Sequence, residues 1–224
     1  MIVRESEAIT LIGGARVAPG DIEAALGLAP LVVAADGGAD TALAAGITPR
    51  AVIGDFDSIS AAARARLPEA ILHPMDDQDS TDFEKCLAHV EAPLILGLGF
   101  TGDRLDHQMA ACNALVRHAA RRCVLLGAHD LMFLCPPVLE LALEPGCRVS
   151  LFPMGAVEGA SDGLEWPIGG INFAPDGRVG TSNRALGAVS LSVTTPKMLV
   201  TLPAHTLRTV VRALGSCTAS WTAS

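Results

Sequence analysis

Residues Leu31–Ser58 read LVVAADGGADTALAAGITPRAVIGDFDS. Two short apolar runs, Leu31–Ala35 and Ala51–Ile53, each lead into acids, Asp36 after the first and Asp55 and Asp57 after the second. Apolar runs of strand length alternating with helical periods are the grammar of a βαβ unit, whose ligands sit outside the carboxyl ends of its strands. The alternation extends outward to Ile9–Ile12 on one side and to Leu94–Leu96 and Cys123–Leu126 on the other. Between these runs, Phe83, Cys86, Leu87 and Val90 recur at helical spacing, as do Met109, Cys112 and Val116 with Ala119 and Ala120 behind them, and both sets are expected in the core. After Pro136-Pro137 the period changes to two, with Val149/Leu151 and Val189/Leu191/Val193 alternating against polar residues. The expected fold class is α/β: a Rossmann-like three-layer nucleotide-binding domain over residues 1–136, then a C-terminal β-sandwich domain over 137–224. The small, polar stretch Ser216–Ser224 is expected to fray.

Composition narrows the function. The chain has 224 residues, half of them hydrophobic, with a mean hydropathy of +0.41, enough to bury a real core. Charge-free stretches such as Ala24–Ala35 fall well short of the roughly 20 residues of a spanning helix, so no membrane association is expected. The start of the chain lacks the basic, apolar and small-residue regions of a secretory signal. Six cysteines without a CxxC pair argue against zinc and a disulfide framework and favour a reducing cytoplasm. The net charge of −8 is concentrated: residues 36–106 carry 13 acids and 5 bases, and the remainder 11 of each. Such a surface repels nucleic acid and attracts a divalent cation or a cationic small molecule.

Several motifs can be weighed on chemistry alone. Asp36, Asp55 and Asp57, and then Asp76, Asp77, Asp79 and Asp82, follow apolar runs, and carboxylates gathered at strand ends need a cation; Mg²⁺ takes carboxylates together with phosphate oxygens. The stretch from Asp77 is not an EF-hand, since Asp82 stands where that loop needs Gly and Ala88 where it needs Glu. Thr81 and Glu84 fit a capping box opening a helix at Phe83. Lys85 in that first turn opposes the helix dipole and calls for an anion nearby. Gly97-Leu-Gly-Phe-Thr-Gly102 matches GxGxxG, but Arg121-Arg122 stand where a dinucleotide site expects an acid. No P-loop and no nucleophile elbow occurs. His107 could act as a base or as a helix-start hydrogen-bonding residue.

Taken together, Ala35-Asp-Gly-Gly-Ala39, Gly54-Asp-Phe-Asp-Ser58, Asp77-Gln-Asp-Ser-Thr-Asp-Phe83, Gly102-Asp-Arg-Leu-Asp-His107, Gly163-Leu-Glu-Trp166 and Gly180-Thr-Ser-Asn183 resemble, in order and spacing, the thiamine pyrophosphokinase family. The resemblance implies that Asp55, Asp57 and Asp82 hold Mg²⁺ and that Gln78, Thr81 and Arg104 lie around ATP. It places Asp36, Asp106, Trp166 and Ser182, with Asn183 beside it, along the thiamine and nucleotide pocket. Lys85 is expected near the phosphates from its charge. Asp103 and Arg184 depart from the family pattern. The implied reaction moves the diphosphoryl group of ATP to the hydroxyl of thiamine, giving thiamine diphosphate and AMP. A homodimer is implied as well, with thiamine bound between the α/β domain of one subunit and the sandwich of the other. Other readings are a pyrophosphokinase for another heterocyclic alcohol such as a hydroxymethylpterin, a non-catalytic nucleotide or thiamine sensor, and a glycosyltransferase using Asp55-x-Asp57. The last leaves the later blocks unexplained.

Overall fold

The computed structural model describes residues 1–222 apart from Asp103. They form an α/β fold with both parallel and antiparallel strand pairing, divided into two compact units. The first comprises Met1–Ala114 with Leu125–Ala128, and the second Leu115–Val124 with His129–Ser224.

Along the first stretch of chain lie β1 (Val3–Arg4), β2 (Ile9–Ile12), α1 (Pro19–Leu26), β3 (Leu31–Ala35), α2 (Gly38–Ala44), β4 (Ala51–Gly54), α3 (Ala61–Arg66) and β5 (Leu72–Pro74). They are followed by α4 (Asp82–His89), β6 (Val90–Glu91), β7 (Ile95–Leu98), α5 (Leu105–Arg117) and β8 (Cys123–Leu126), the last two straddling the division. Within the first unit the order β7-β2-β3-β4-β5 is parallel throughout. From β2 the sheet grows towards β3 on one side and towards β7 on the other. The carboxyl end of β2 is therefore a topological switch point, where open sheets of this kind leave a crevice. Strand residues such as Ile9, Leu11, Val33, Val52 and Ile53 are buried because both faces of such a sheet are covered. Ala39 and Leu43 of α2 and Ala63 of α3 pack with Ala34, Val52 and Leu72 in one cluster. Gly38, at the start of α2, lies so close to β2 that an added Cβ would sit 2.0 Å from the Ile12 carbonyl oxygen.

The second unit contains β9 (Asp130–Leu134), β10 (Val138–Leu141), β11 (Arg148–Pro153), β12 (Gly159–Leu164), β13 (Gly180–Val193), β14 (Met198–Pro203) and α6 (Leu207–Ser216). The pairing is antiparallel, and β13 is the shared strand: its first half is bonded to β11 and its second to β10 and β12. The expected alternation is present, with Val149, Leu151, Val189, Leu191 and Val193 all buried.

Some expectations change. The strand placed at Leu94–Leu96 is Ile95–Leu98. In α4, Phe83, Cys86 and Leu87 are buried as expected, while Val90 is buried in the short strand that follows. In α5 the buried residues are Ala111, Ala114 and Leu115, also at helical spacing; Met109 is 65% exposed, and Ala119 and Ala120 lie beyond the helix end. A helix rich in small apolar residues offers two overlapping faces, and spacing alone does not choose between them. The chain after α6 is tied down as far as Trp221 instead of frayed; Ala223 and Ser224 lie outside the described residues. Arg122 donates to the carbonyls of Leu214, Cys217 and Ala219 at 3.1, 2.6 and 3.2 Å, and the Trp221 indole N–H donates to the Cys135 carbonyl at 2.9 Å.

Two glycine substitutions separate close approach from backbone freedom. Gly38→Ala forces α2 off β2 and is expected to cost about 1–3 kcal/mol. Gly20→Ala in α1, where an added Cβ meets nothing within 4 Å, is expected to gain about 0.4–1 kcal/mol. Urea unfolding of the two variants checks both signs.

Candidate functional site

A cleft of about 770 Å³ opens at the carboxyl ends of the parallel strands, ample for a nucleotide. Its wall takes Gly14, Ala15 and Arg16 after β2, Gly37 after β3, Asp55 and Asp57 after β4, and Gly99, Phe100 and Gly102 after β7. Thr81, Asp82 and Lys85 from the start of α4 complete it, together with Arg104 and His107. Asp55, Asp57, Thr81, Asp82, Lys85 and Arg104 thus converge as the sequence led us to expect. Asp36, Gln78 and Asp106 are not among the lining residues.

Asp36 lies beneath the cleft. It is 1% exposed and holds a left-handed φ of 42°, and its two carboxylate oxygens accept from the backbone amides of Ser58 and Ile59 at 3.1 and 3.0 Å. Burial pushes its carboxyl up to about 6, with the nearby Asp82 and Asp57 adding to the rise and the two amides opposing it. Phe56, between Asp55 and Asp57, is also left-handed at 64°. Non-glycine residues in this region carry strain, and two of the chain's three described instances fall at this one site. Carboxylate oxygens of Asp36, Asp55 and Asp57 lie within 4.8 Å of one another. Gly54 makes room for them: a Cβ there would stand 2.8 Å from the Asp36 Cβ and 3.2 Å from Asp82 Oδ1.

Lys85 is 3% exposed, and its ammonium donates to Asp55 Oδ2 and Asp82 Oδ1, each at 3.1 Å. The anion that this cation requires is therefore a pair of the protein's own carboxylates. For Lys85, burial works against the charge, but the two hydrogen-bonded carboxylates outweigh it and the ammonium is held above its ordinary range. Asp55 is also disfavoured by burial, yet the Lys85 and Asp57 N–H contacts bring it below the usual carboxylate range. Asp82 goes the other way, raised by burial and by the charges of Asp55 and Asp57 more than Lys85 lowers it. Asp82 is outside the three-carboxylate group and inside the Lys85 pair.

The remaining residues divide between structural and open roles. Thr81 caps α4, accepting from the Glu84 amide at 3.3 Å. Gln78 lies on the exposed turn before it. Arg104 and Asp106 are exposed and paired with each other, Nη2 to Oδ2 at 2.6 Å; Asp103 lies outside the described residues. The GxGxxG glycines serve packing: a Cβ on Gly99 would stand 2.7 Å from the Gly13 carbonyl oxygen, and the Ala15 amide donates to the Gly99 carbonyl at 3.0 Å. Trp166, Ser182 and Asn183 belong to the second unit. Trp166 is exposed, and Ser182 is left-handed at 61°. Asn183 is buried: its Oδ1 accepts from the amides of Trp166 and Arg184, and its Nδ2 donates to the Trp166 carbonyl at 2.7 Å. That amide secures the Trp166 loop. Site features that escape the sequence reading include Arg16, Asp40, Ser60, Phe100 and the steric role of Gly54. Arg16 was signalled by Gly13-Gly14 directly after an apolar strand.

Residues 22–126 match the family model described as thiamin pyrophosphokinase, catalytic domain. Over that stretch the chain is similar to thiamin pyrophosphokinases. Two rice proteins (Oryza sativa subsp. japonica), thiamine pyrophosphokinases 1 and 3, are 34% and 32% identical over 124 residues, covering 48% of this chain. The chain spans about half the length of these relatives, 47% and 46%. Among solved structures, thiamin pyrophosphokinase from Candida albicans superposes with a TM-score of 0.74 at 16% identity, over 88% of this chain and 89% of that one. The enzyme from Geobacillus thermodenitrificans gives 0.71 at 23%, over 88% and 96%. At these identities the structures attest the shared fold. The family found is the one that the sequence blocks resemble.

Replacing Lys85 tests the electrostatic centre. Lys85→Met leaves two carboxylates without their shared cation, and is expected to cost about 3 kcal/mol at pH 7 because both acids keep some exposure. Near pH 4 the freed carboxylates take up protons and the penalty shrinks. Denaturant unfolding of wild type and variant at the two pH values reads the difference.

Proposed function

We propose that this chain is a thiamine pyrophosphokinase, transferring the diphosphoryl group of ATP to the hydroxyl of thiamine to give thiamine diphosphate and AMP. The observation that carries this reading is the cleft at the switch point, where a carboxylate group faces Lys85, Arg104 and Arg16 in a space of nucleotide size. The relatives' names agree with it. On this reading, residues 1–136 form a Rossmann-like nucleotide-binding part and 137–224 a β-sandwich that takes thiamine. The parallel order around β2 and the shared strand β13 support two such parts, while the compact units exchange at Ala128/His129, ahead of residue 136, and Leu115–Val124 belongs with the second. Six free cysteines are consistent with a cytoplasmic setting, and a homodimer follows from the resemblance.

The donor set fits Mg²⁺, a hard cation that prefers carboxylate oxygens. Asp55 and Asp57 would hold it with Asp36 beside them, and Asp82 would serve by holding Lys85 in place. Bound there, Mg²⁺ would neutralise phosphate charge. Diphosphoryl transfer through a loose transition state needs positioning and charge compensation more than covalent catalysis. Lys85 contributes a fixed positive charge whose place is set by two acids. Arg104, on an exposed pair with Asp106, can exchange that partner for a phosphate oxygen at little cost, since exposed pairs are weak. Its planar fork suits two oxygens at once. In the second unit, Trp166 presents an exposed indole, a suitable face for a cationic heterocycle.

Incubation with ATP, Mg²⁺ and thiamine is expected to yield AMP and thiamine diphosphate by chromatography. ADP as the nucleotide product, or a diphosphate ester formed only from a hydroxymethylpterin, would overturn the assignment; binding without AMP release would indicate a sensor. Asp57→Asn is expected to lower turnover by about 10²-fold or more with the fold retained, checked by steady-state kinetics and circular dichroism. Arg104→Lys is expected to lower kcat/KM for ATP more than it weakens thiamine binding.

A further inference from the structure

The exposed indole of Trp166 already has a cation on it. The Arg184 guanidinium carbon lies 5.9 Å from the ring centroid, and Arg184 Nε is paired with Glu165 Oε2 at 3.3 Å. The backbone builds this arrangement in. Leu164 pairs with Ala185 across the β12–β13 ladder, and the Glu165 amide donates to the Arg184 carbonyl at 2.9 Å. The buried Asn183 amide then binds the Trp166 and Arg184 amides with one oxygen, at 3.2 and 2.8 Å. Gly163, left-handed at 76°, passes so near β13 that a Cβ would stand 2.0 Å from the Ala188 carbonyl oxygen, which keeps the loop against the strand. Both residues of the stacked pair are thus anchored to a single side chain, while their own side chains remain more than half exposed.

An indole face attracts a cation through its quadrupole, and two cations cannot share it without repulsion. We propose that Arg184 is a specificity-determining residue of the Trp166 site: a resident cation that a positively charged ring must displace before it can stack. The proposal rests on reading Trp166 as a thiamine contact. The hold on Arg184 is weak enough to be released, because an ion pair and a cation–π contact at exposed positions each contribute little. Its consequence is selective. A cationic ring meets both the occupied face and the positive charge, whereas an uncharged ring of similar shape meets the occupied face alone.

Calorimetric titration of the full chain with thiamine, and with the uncharged tricyclic derivative thiochrome, tests this in wild type, Arg184→Ala, Arg184→Gln and Trp166→Ala, each checked for folding by circular dichroism. Both Arg184 variants are expected to bind thiamine about two- to fivefold more tightly than wild type, with a smaller change for thiochrome. Trp166→Ala is expected to weaken thiamine binding. If Trp166→Ala binds thiamine as wild type does, the assignment of Trp166 to the site fails and this proposal falls with it. If Trp166→Ala weakens binding but the Arg184 variants bind thiamine equally or less tightly, Trp166 stays in the site and the role of Arg184 is overturned. An equal gain for thiamine and thiochrome would also overturn it, reducing Arg184 to an uncharged obstacle.

Discussion

The Lys85 ammonium between Asp55 and Asp82 is the interaction on which the rest of the site depends. It joins the end of β4 to the first turn of α4, two segments with no covalent reason to meet. A buried lysine is costly unless its charge is met, and here two carboxylates meet it. The cation also opposes the dipole of its own helix at that position, so Asp82, one turn earlier, serves as local compensation as well as partner. Once Lys85 is fixed, Asp82 has a defined direction, and the cleft wall formed by β4 and α4 has a defined spacing. Asp36 and Asp57, with Asp55 shared between them and Lys85, can then crowd within reach of a single ion without the site being a simple excess of negative charge.

Crowding of this kind needs room where side chains would normally stand. Gly54 provides it under Asp36 and Asp82, and Gly38 provides it where α2 starts over β2. The left-handed backbone at Asp36 and Phe56 belongs to the same economy of space: the chain turns sharply at the strand ends, so that acids from β3 and β4 arrive together. Asp36 is held there by two backbone amides from the segment after β4, which ties the strain at one strand end to the geometry of the next.

Much of this was legible in the sequence, and the parts that were not share a cause. Apolar runs closing on acids gave the parallel strands and the convergence of Asp55, Asp57 and Asp82 on one cleft, because strand period and the position of the carboxyl end are local properties. Lys85 could be recognised as needing an anion, but not as burying itself against the presumed metal ligands, since that pairing spans 30 residues. The face of α5 was misread because Met109 and Ala111 begin equally good helical stripes, and only packing breaks the tie. The stretch after α6 looked fit to fray by composition, yet Arg122, 95 residues before the Cys217 carbonyl that it binds, holds Cys217 and Ala219 in place. Asn183, expected along the substrate pocket, has a part in securing the loop of Trp166 that the sequence did not signal. Each miss is a long-range polar contact or a choice between equivalent apolar faces, and neither leaves a periodic trace.

The electrostatics of Asp36 show what the arrangement costs the fold. Its carboxyl is raised to about 6 in the native state, from an ordinary value of 3.8. Between those values the folded chain binds more protons than the unfolded one, so stability falls as pH rises through the window and the loss is complete above about 6. By linkage the penalty at neutral pH is on the order of 3 kcal/mol, a sizeable share of a typical domain's net stability. Asp82, raised as well, adds to it with the same sign. A fold selected for stability alone would place a neutral side chain at Asp36, which is 1% exposed and has other carboxylates as neighbours. Keeping a carboxylate there stores unfavourable charge at the carboxyl end of β3, and any cation that reaches the three acids recovers part of that cost as binding energy. The destabilisation and the affinity for positive charge therefore share one source, the unfavourable charge at Asp36.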